Sequence, residues 1–134
     1  MDSIIIFYSL LGHNEEIATN FARESNFDII EFSPGSKLRV FQFFVGKRRL
    51  SKKAREIDIQ NYNKILIYGP IWAGKPAPAI LKLLENINLK EKEVSCSFTY
   101  TQDYGNSENL VKETIKNSGG ICIAINFQTI SEEK

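Results

Sequence analysis

Two kinds of hydrophobic pattern alternate along this chain. Short apolar runs of strand length are separated by longer segments in which apolar residues recur at helical spacing. The apolar runs are residues 4–8, 28–32, 65–68, 94–98 and 121–125. Strands that alternate with helices form a parallel sheet with helices on both faces. The pattern therefore predicts an α/β fold with a doubly wound, five-stranded parallel sheet.

Three of the intervening segments carry the clearest helical pattern, because each places four mostly apolar side chains on one side of a helix. These sets are Ile17, Ala18, Phe21 and Ala22; Ile80, Leu81, Leu83 and Leu84; and Leu110, Val111, Thr114 and Ile115. We expect Asn106 or Ser107 to cap the last helix and Gly119 with Gly120 to end it. No repeat, low-complexity tract or linker interrupts the pattern, so residues 1–134 are expected to form one domain.

The first strand leads through a short polar loop directly into a helix. Free backbone N–H groups and the positive end of the helix dipole converge where such a strand ends. Ser9, His13 and Asn14 add side-chain donors at this place. The loop therefore predicts a binding site for a phosphate monoester.

Two further loops are expected at the carboxyl ends of central strands, where ligands of doubly wound sheets bind. Residues 69–78 follow the third strand and hold the only tryptophan, Trp72, among Gly and Pro residues. Residues 99–106 follow the fourth strand and contain two tyrosines and a carboxylate. Aromatic loops on both sides of a phosphate-sized site indicate a nucleotide pocket for a flat ring.

With these three loops, the sequence resembles the flavodoxin family over nearly its whole length. The segment Tyr8-Ser9-Leu10-Leu11-Gly12-His13-Asn14, followed by Ile17-Ala18, is similar to the family's phosphate loop. The segment from Ile67 to Pro78 closely resembles the Trp-Ala-Gly segment, flanked by Gly and Pro, of short flavodoxin-like proteins. The resemblance implies a sheet with strand order 2-1-3-4-5 and FMN as the cofactor.

The resemblance also implies where FMN binds, with its phosphate on the first loop and its ring between the other two. The implied cofactor-binding residues are Ser9, Leu10, Leu11, Gly12, His13, Asn14, Pro70, Ile71, Trp72, Ala73, Gly74, Thr99, Tyr100, Thr101, Asp103, Tyr104 and Gly105. A carboxylate near the ring disfavours the anionic reduced state, so Asp103 is a candidate for lowering the redox potential. The alternative for Asp103 is an ordinary solvated loop carboxylate.

The first loop departs from the family pattern, since Leu11, His13 and Asn14 stand where the family usually has Thr, Asn and Thr. Each hydrogen bond to an anion contributes about 1.5 to 3 kcal/mol, so losing two hydroxyl donors without substitutes would weaken FMN binding by orders of magnitude. The Asn14 amide and the His13 imidazole can replace them. A phosphate dianion is expected to raise the pKa of His13, so binding is expected to strengthen as the pH falls. The alternatives are a helix N-cap for Ser9 and Asn14, and packing on the sheet for Trp72.

Basic residues concentrate in residues 37–55, which hold eight of the seventeen Lys and Arg residues and no acidic residue. Interleaved Phe and Val residues predict a basic, aromatic helix between the second and third strands. It is either an insertion that packs its aromatics on the sheet, or a docking face for an acidic redox partner or an anionic membrane surface. With a net charge of +1, nucleic-acid binding is not expected.

The chain end predicts an exposed sheet face. Only residues 126–134 follow the predicted fifth strand, too few for the terminal helix that flavodoxins normally have. The face beside the first helix is then expected to expose apolar side chains, which usually mark an interface. A two-fold homodimer is the simplest way to cover such a face.

The cysteine positions and the absence of a targeting pattern complete the expectations. Cys96 and Cys122 lie in apolar strand-like runs without metal-ligand spacing, so buried free thiols and no metal site are predicted. No apolar run approaches the roughly 20 residues of a membrane span, and the N-terminus does not resemble a signal peptide. We therefore predict a cytoplasmic protein.

The sequence contains no pattern typical of acid–base or nucleophilic catalysis, since its only histidine lies in the phosphate loop. The leading hypothesis is an FMN-binding protein that acts in electron transfer or as a small, quinone-reductase-like oxidoreductase. Its partner would be a redox protein or a quinone. The alternative is a degenerate flavodoxin-like interaction or regulatory module that binds no flavin, which the altered loop and the short C-terminus favour.

Overall fold

The computed structural model of the chain describes residues 3–8, 13–32, 59–72 and 74–129. The elements are β1 (Ser3–Phe7), α1 (His13–Ser25), β2 (Asp28–Glu31), β3 (Lys64–Trp72), β4 (Lys75–Pro76), α2 (Pro78–Asn86), β5 (Glu93–Tyr100), α3 (Ser107–Asn117) and β6 (Ile121–Thr129). The basic segment predicted to be helical, residues 37–55, lies outside the described residues.

The strands form one sheet in the order β2-β1-β3-β5-β6, and all four neighbouring pairs are parallel. The two-residue strand β4 pairs with β3 in the antiparallel direction and lies off this path. Apart from β4, this is the predicted order 2-1-3-4-5. The doubly wound parallel sheet predicted from the alternating pattern is therefore confirmed.

Helices cover both faces of the sheet, as such a sheet requires. The larger core lies between the sheet and the helices α2 and α3 and includes Leu83, Leu84, Val111 and Ile115. The smaller core, on the other face, joins α1 to β1 and β3 and consists of Ile5, Phe7, Ala18, Ala22 and Tyr68. Each predicted helical stripe contributes buried residues, although Phe21 at the margin of α1 is exposed.

Helix α3 ends as its glycines predict. Gly119 adopts a φ of +87°, and the N–H groups of Gly119 and Gly120 donate to carbonyls of the last helical turn. Asn106 occupies the N-cap position without a side-chain bond to the helix backbone. Its Oδ1 instead accepts a hydrogen bond from Asn109 at 3.0 Å.

The half of the sheet that α1 does not cover is mostly polar. Alternate residues of β5 enter the larger core, so Ser95, Ser97 and Thr99 lie on the α1 side. The register places Ala124, Asn126 and Gln128 of β6 beside them, and all three are exposed. The expectation of an apolar face beside the first helix is therefore wrong for this half of the sheet.

A β-bulge explains the difference. Without it, Ile121, Ile123, Ile125 and Phe127 would all lie on one face of β6. The pairing steps from Val94–Cys122 to Ser95–Ala124, so Ile123 is an extra residue and the next two apolar residues turn into the larger core.

The exposed apolar surface on the α1 side is consequently small. Ile121 and Ile123 are 52% and 56% exposed. Ile123 borders a groove of about 230 Å³ together with Phe27 and Leu66. The homo-oligomer stays a prediction. Within the described residues, the patch formed by Ile121, Ile123 and the groove beside them is the surface that its expected interface would use.

The two thiols have different environments. Cys96 on β5 is buried and Cys122 on β6 is half-buried, so the expectation of two buried thiols is correct only for Cys96. Burial raises the pKa of both thiols, most strongly that of Cys96. None of the described helices is long and apolar enough to span a bilayer.

Candidate functional site

The candidate site lies at the carboxyl edge of the sheet, where β3 reaches further than predicted. The strand continues through Trp72, and β4 folds back on it with the pairs Trp72–Lys75 and Ile71–Pro76. Part of the predicted loop 69–78 therefore belongs to strands β3 and β4, which form a tight hairpin. Gly74 provides its turn with a φ of +79°, a conformation that side chains disfavour.

This hairpin packs directly against the loop after β5, backbone to backbone. Gly105 has a φ of +56°, and a Cβ atom there would lie 2.6 Å from the carbonyl oxygen of Gly74. The same carbonyl accepts a hydrogen bond from Ser107 Oγ at 3.0 Å. The two loops expected to flank a ring therefore meet through glycines, which alone permit so close an approach.

Asp103 orders the turn that brings Gly105 to this contact. Its Oδ1 accepts a hydrogen bond from the Gly105 N–H at 2.8 Å, which closes an Asx-type turn. The residue is exposed. One carboxylate oxygen of Asp103 is therefore engaged in shaping the loop.

The first turn of α1 is connected to the end of β5 by a buried side-chain hydrogen bond. Asn14 is 2% exposed and Thr99 is 3% exposed. The Asn14 amide nitrogen Nδ2 donates to Thr99 Oγ1 at 2.9 Å. Its other polar atom, Oδ1, is equally buried and has no hydrogen-bond partner among the residues that the structure describes. Burying an amide oxygen without a hydrogen bond costs free energy, because the hydrogen bond that it made to water is not replaced. Most such atoms in folded proteins are therefore paired.

Trp72 is half-buried at the margin of the larger core and packs edge-on against Tyr8 at the end of β1. The ring centroids are 6.0 Å apart, and the ring planes meet at 70°. This geometry is a favourable aromatic pair. It fixes the indole beside the point where β1 ends.

The tyrosines of the third loop belong to an aromatic cluster on the end of β6. Tyr104 lies parallel to Phe127, with centroids 3.8 Å apart and planes within 9°. Tyr100 meets Tyr104 edge-on at 5.1 Å. One face of Tyr104 is therefore covered by protein. Phe127 is absent from the predicted site because β6 was expected to end at residue 125; the continued alternation from Ile125 to Phe127 was the signal for a longer strand.

Most of the described residues of the predicted site take part in the contacts given above. Asn14 pairs with Thr99, Gly74 packs against Gly105, Asp103 accepts a hydrogen bond from Gly105, and Trp72, Tyr100 and Tyr104 pack against other aromatic rings. Pro70 lies in register beside Thr99. The side chain of Ile71 belongs to the larger core, and Thr101 is exposed. Ser9, Leu10, Leu11, Gly12 and Ala73, and the side chain of His13, lie outside the described residues.

No protein-family model and no curated protein matches this chain. Solved structures do match it. A flavoprotein from Lactobacillus acidophilus, crystallised in complex with FMN, is 22% identical with a TM-score of 0.69, and the match covers 95% of this chain and 93% of that one. The chain has a flavodoxin-like fold. The match with this flavoprotein extends over nearly the whole of both chains.

Two flavodoxins are also similar to this flavodoxin-like chain. The Fusobacterium nucleatum flavodoxin, solved with flavin mononucleotide bound, is 18% identical with a TM-score of 0.59, and the match covers 100% of this chain and 80% of that one. The Megasphaera elsdenii flavodoxin, solved in its two-electron reduced form, is 14% identical with a TM-score of 0.62, and the match covers 98% of this chain and 88% of that one. At these identities the likeness establishes the fold, and a ligand must be argued from this chain's own residues.

Proposed function

We propose that this chain binds FMN and acts in electron transfer. The observation that carries the proposal is the buried Asn14 amide, which lies in the first turn of α1 and whose Oδ1 has no partner within the described ranges. A spare polar group at a helix N-terminus, beside two aromatic loops, suits the phosphate end of a nucleotide. The FMN complexes of similarly folded proteins support the same cofactor.

The phosphate end would lie at the start of α1. This helix has 13 residues, so its dipole and unsatisfied first-turn N–H groups favour an anion. Residues 9–14 would hold the phosphate. Asn14 supplies the side-chain recognition that the family's hydroxyl residues supply elsewhere.

The ring end would lie against the hairpin and the loop after β5. Trp72 offers a half-buried aromatic surface held by Tyr8, and the Gly74–Gly105 contact fixes the loops on which Trp72 and Tyr104 stand. FMN supplies one- and two-electron redox chemistry when bound. The protein's contribution is to hold the ring, exclude water from it and set the charge around it.

Electron transfer requires an accessible ring and does not need an acid–base pair. Proton-coupled chemistry, in contrast, requires a positioned proton donor. The single histidine of the sequence is His13, at the phosphate end of the proposed site. This distribution favours a carrier that exchanges electrons with a redox protein or a quinone. The small oxidoreductase, the partner role of residues 37–55 and the cytoplasmic location stay predictions.

Titration of flavin-stripped protein with FMN tests the proposal. We expect one-to-one binding with quenching of flavin fluorescence and of Trp72 emission, because the only tryptophan lies in the hairpin. Trp72→Phe is the matched control and should remove the protein signal while flavin quenching persists. If no binding is detected at about 500 μM FMN, the binding free energy is weaker than about 4.5 kcal/mol. That result would favour the flavin-free interaction module instead.

A further inference from the structure

A groove of about 500 Å³ lies between helix α3 and strand β6, on the face of the sheet that carries the larger core. The helix lines it with Glu108, Lys112 and Lys116, and the strand lines it from Cys122 to Ile125. This volume is within the range of small-molecule sites, about 300 to 1,000 Å³. None of the lining residues belongs to the proposed flavin site, so the groove is a separate candidate for ligand binding.

The helix side of the groove carries a net positive charge. Glu108, Lys112 and Lys116 follow each other at intervals of four residues, which places them in one stripe along α3. Lys112 Nζ lies 3.1 Å from Glu108 Oε2, so these two charges compensate each other. Lys116 belongs to neither of the ion pairs found among the described residues. Its ammonium group therefore stands beside the groove without a counter-ion from these parts of the chain.

The Cys122 thiol shows that the charged stripe acts on the strand side of the groove. Burial raises the pKa of this thiol, Lys112 lowers it, and Glu108 raises it. Both members of the ion pair therefore lie close enough to the half-buried thiol to influence a charge placed there. A charged group of a bound molecule in the groove would interact with the same side chains.

The strand side is apolar and uncharged. Ile123 is 56% exposed, and Ile125 is half-buried against the larger core. None of the nine residues of β6 carries a formal charge, although β6 is an edge strand and such strands are commonly protected by charged side chains. Solvation of a helix face would account for the lysines of α3. It would not account for an exposed isoleucine and an uncharged strand beside them.

We propose that this groove binds a small amphipathic organic anion, with its apolar body on Ile123 and Ile125 and its carboxylate at Lys112 and Lys116. The carboxylate would pair with Lys116, and the apolar body would remove the Ile123 side chain from water. A small molecule is favoured over an extended peptide, since the bulge at Ile123 interrupts the row of backbone groups that an added strand would need. The inference goes beyond the proposed function and does not depend on flavin binding.

Titration with phenylbutyrate, followed by heteronuclear NMR, tests the proposal. Phenylbutyrate joins a carboxylate to a small aromatic body, and phenylbutyramide is its matched neutral analogue. We expect phenylbutyrate to shift the backbone amide signals of residues 120–125 with a dissociation constant of about 1 mM. Phenylbutyramide should bind about fivefold more weakly or worse. Equal affinity for the two, or no shift at about 10 mM phenylbutyrate, would overturn the proposal.

Removing the two lysines tests the cationic wall. The double variant Lys112→Gln, Lys116→Gln should weaken phenylbutyrate binding about fivefold and leave phenylbutyramide binding within about twofold. The control, Lys82→Gln with Lys90→Gln, removes the same charge outside the groove and should change neither affinity by more than about twofold. Lys82 suits this purpose because it also pairs with a helical glutamate, Glu85, at 3.2 Å. No loss in the first variant, or equal losses in both, would overturn the assignment of the site.

The apolar wall has a matched pair of its own. Ile123 lines the groove, whereas Ile121 does not, and the two side chains are 56% and 52% exposed. Ile123→Ser should weaken phenylbutyrate and phenylbutyramide alike, by about threefold or more, because both lose the same apolar contact. Ile121→Ser should leave both affinities within about twofold. An equal effect of the two substitutions would place the ligand elsewhere and contradict the proposed contact.

Repeating the titration with excess FMN separates this inference from the proposed function. The shifts of residues 120–125 and the affinity for phenylbutyrate should be the same with and without FMN, because no lining residue belongs to the proposed flavin site. If FMN does not bind, the proposed function fails and the titration still decides the inference. If FMN displaces phenylbutyrate, the ligand occupies the flavin site and the groove proposal is overturned.

Discussion

Strands β1 and β6 each contain three isoleucines but occupy very different environments. All five residues of β1 are buried, and Ile5 and Ile6 are completely inaccessible. In β6, by contrast, Ile121 and Ile123 are more than half exposed, and no residue is fully buried. The two strands show that the number of isoleucines in a strand does not determine its burial.

Strand order accounts for the difference. β1 lies inside the sheet between β2 and β3, with α1 on one face and the larger core on the other. β6 is an edge strand whose α1 side is open and carries Asn126 and Gln128. The Ile123 bulge interrupts the regular edge that β6 presents, and such interruptions discourage pairing with further strands.

Truncating an isoleucine in each strand should produce the largest contrast. Ile5→Ala is expected to lower the free energy of unfolding by about 2 to 5 kcal/mol, because it leaves a cavity under α1. Ile123→Ala, in the exposed bulge, should cost less than about 1 kcal/mol. Urea unfolding monitored by circular dichroism measures both. Similar losses for the two variants would contradict the assignment of β6 as an edge strand.

Replacing Gly105, in the loop after β5, should cost more stability than replacing Gly120, which precedes β6. Gly105→Ala is expected to cost about 1 to 3 kcal/mol, because the new Cβ meets the Gly74 carbonyl and φ is positive. Gly120→Ala meets only side-chain atoms, at 3.0 Å or more, and should cost less. Thermal unfolding gives the comparison. A greater loss for Gly120→Ala would argue against the backbone contact between the loops.

The two cysteines extend the comparison to pH. Burial holds the pKa of the Cys96 thiol above its unfolded value. Below about pH 8.5 the thiol is neutral in both states, and as the pH rises further only the unfolded thiol ionises, so the folded protein loses stability. We expect wild-type protein to lose more stability between about pH 8 and 10.5 than Cys96→Ala does. Cys122→Ala, at the half-buried edge, should behave more like wild type.

Alkylation gives an independent reading of the same difference. Cys122 should react with iodoacetamide in the folded protein faster than Cys96, although slowly, since its pKa is also raised by burial. Mass spectrometry of the labelled peptides identifies the site. Equal labelling of both thiols would show that β5 and β6 open together.

The smallest expected effect on stability comes from Ile123→Lys. The exposed side chain should cost less than about 0.5 kcal/mol. If the predicted homodimer uses the patch around Ile123, the charge should abolish it, because the Phe27–Leu66 groove would then face a lysine. Sedimentation velocity with Asn126→Lys as the control tests this. A dimer unaffected by Ile123→Lys would place the interface elsewhere.

The fold could be predicted because its determinants are local. Five apolar runs, helical stripes and the Gly119 stop are properties of short windows, and the order of the sheet followed from them and from the family resemblance. The β6 bulge, the Trp72 hairpin and the stack of Tyr104 on Phe127 depend on pairing between distant segments. Hydrophobic alternation alone predicts one continuous face for β6 and gives no sign of the extra residue at Ile123.

The candidate site divides in the same way. The sequence indicated the three loops and their residue types, because donors and aromatics follow the strands directly. That Asn14 meets Thr99, 85 residues further along, could not be read from either segment. Nor could the Gly74–Gly105 contact, since each glycine alone indicates only a turn.

That glycine contact has a consequence for redox chemistry. When an electron enters or leaves a site, the surrounding dipoles shift, and the energy of that shift slows the transfer unless the dipoles are already held in place. The hairpin and the loop after β5 touch through their backbones and share the Ser107 hydrogen bond, so neither can relax alone. A flavin lying against both loops would change charge beside dipoles that are already held in place, which favours rapid electron exchange in both directions.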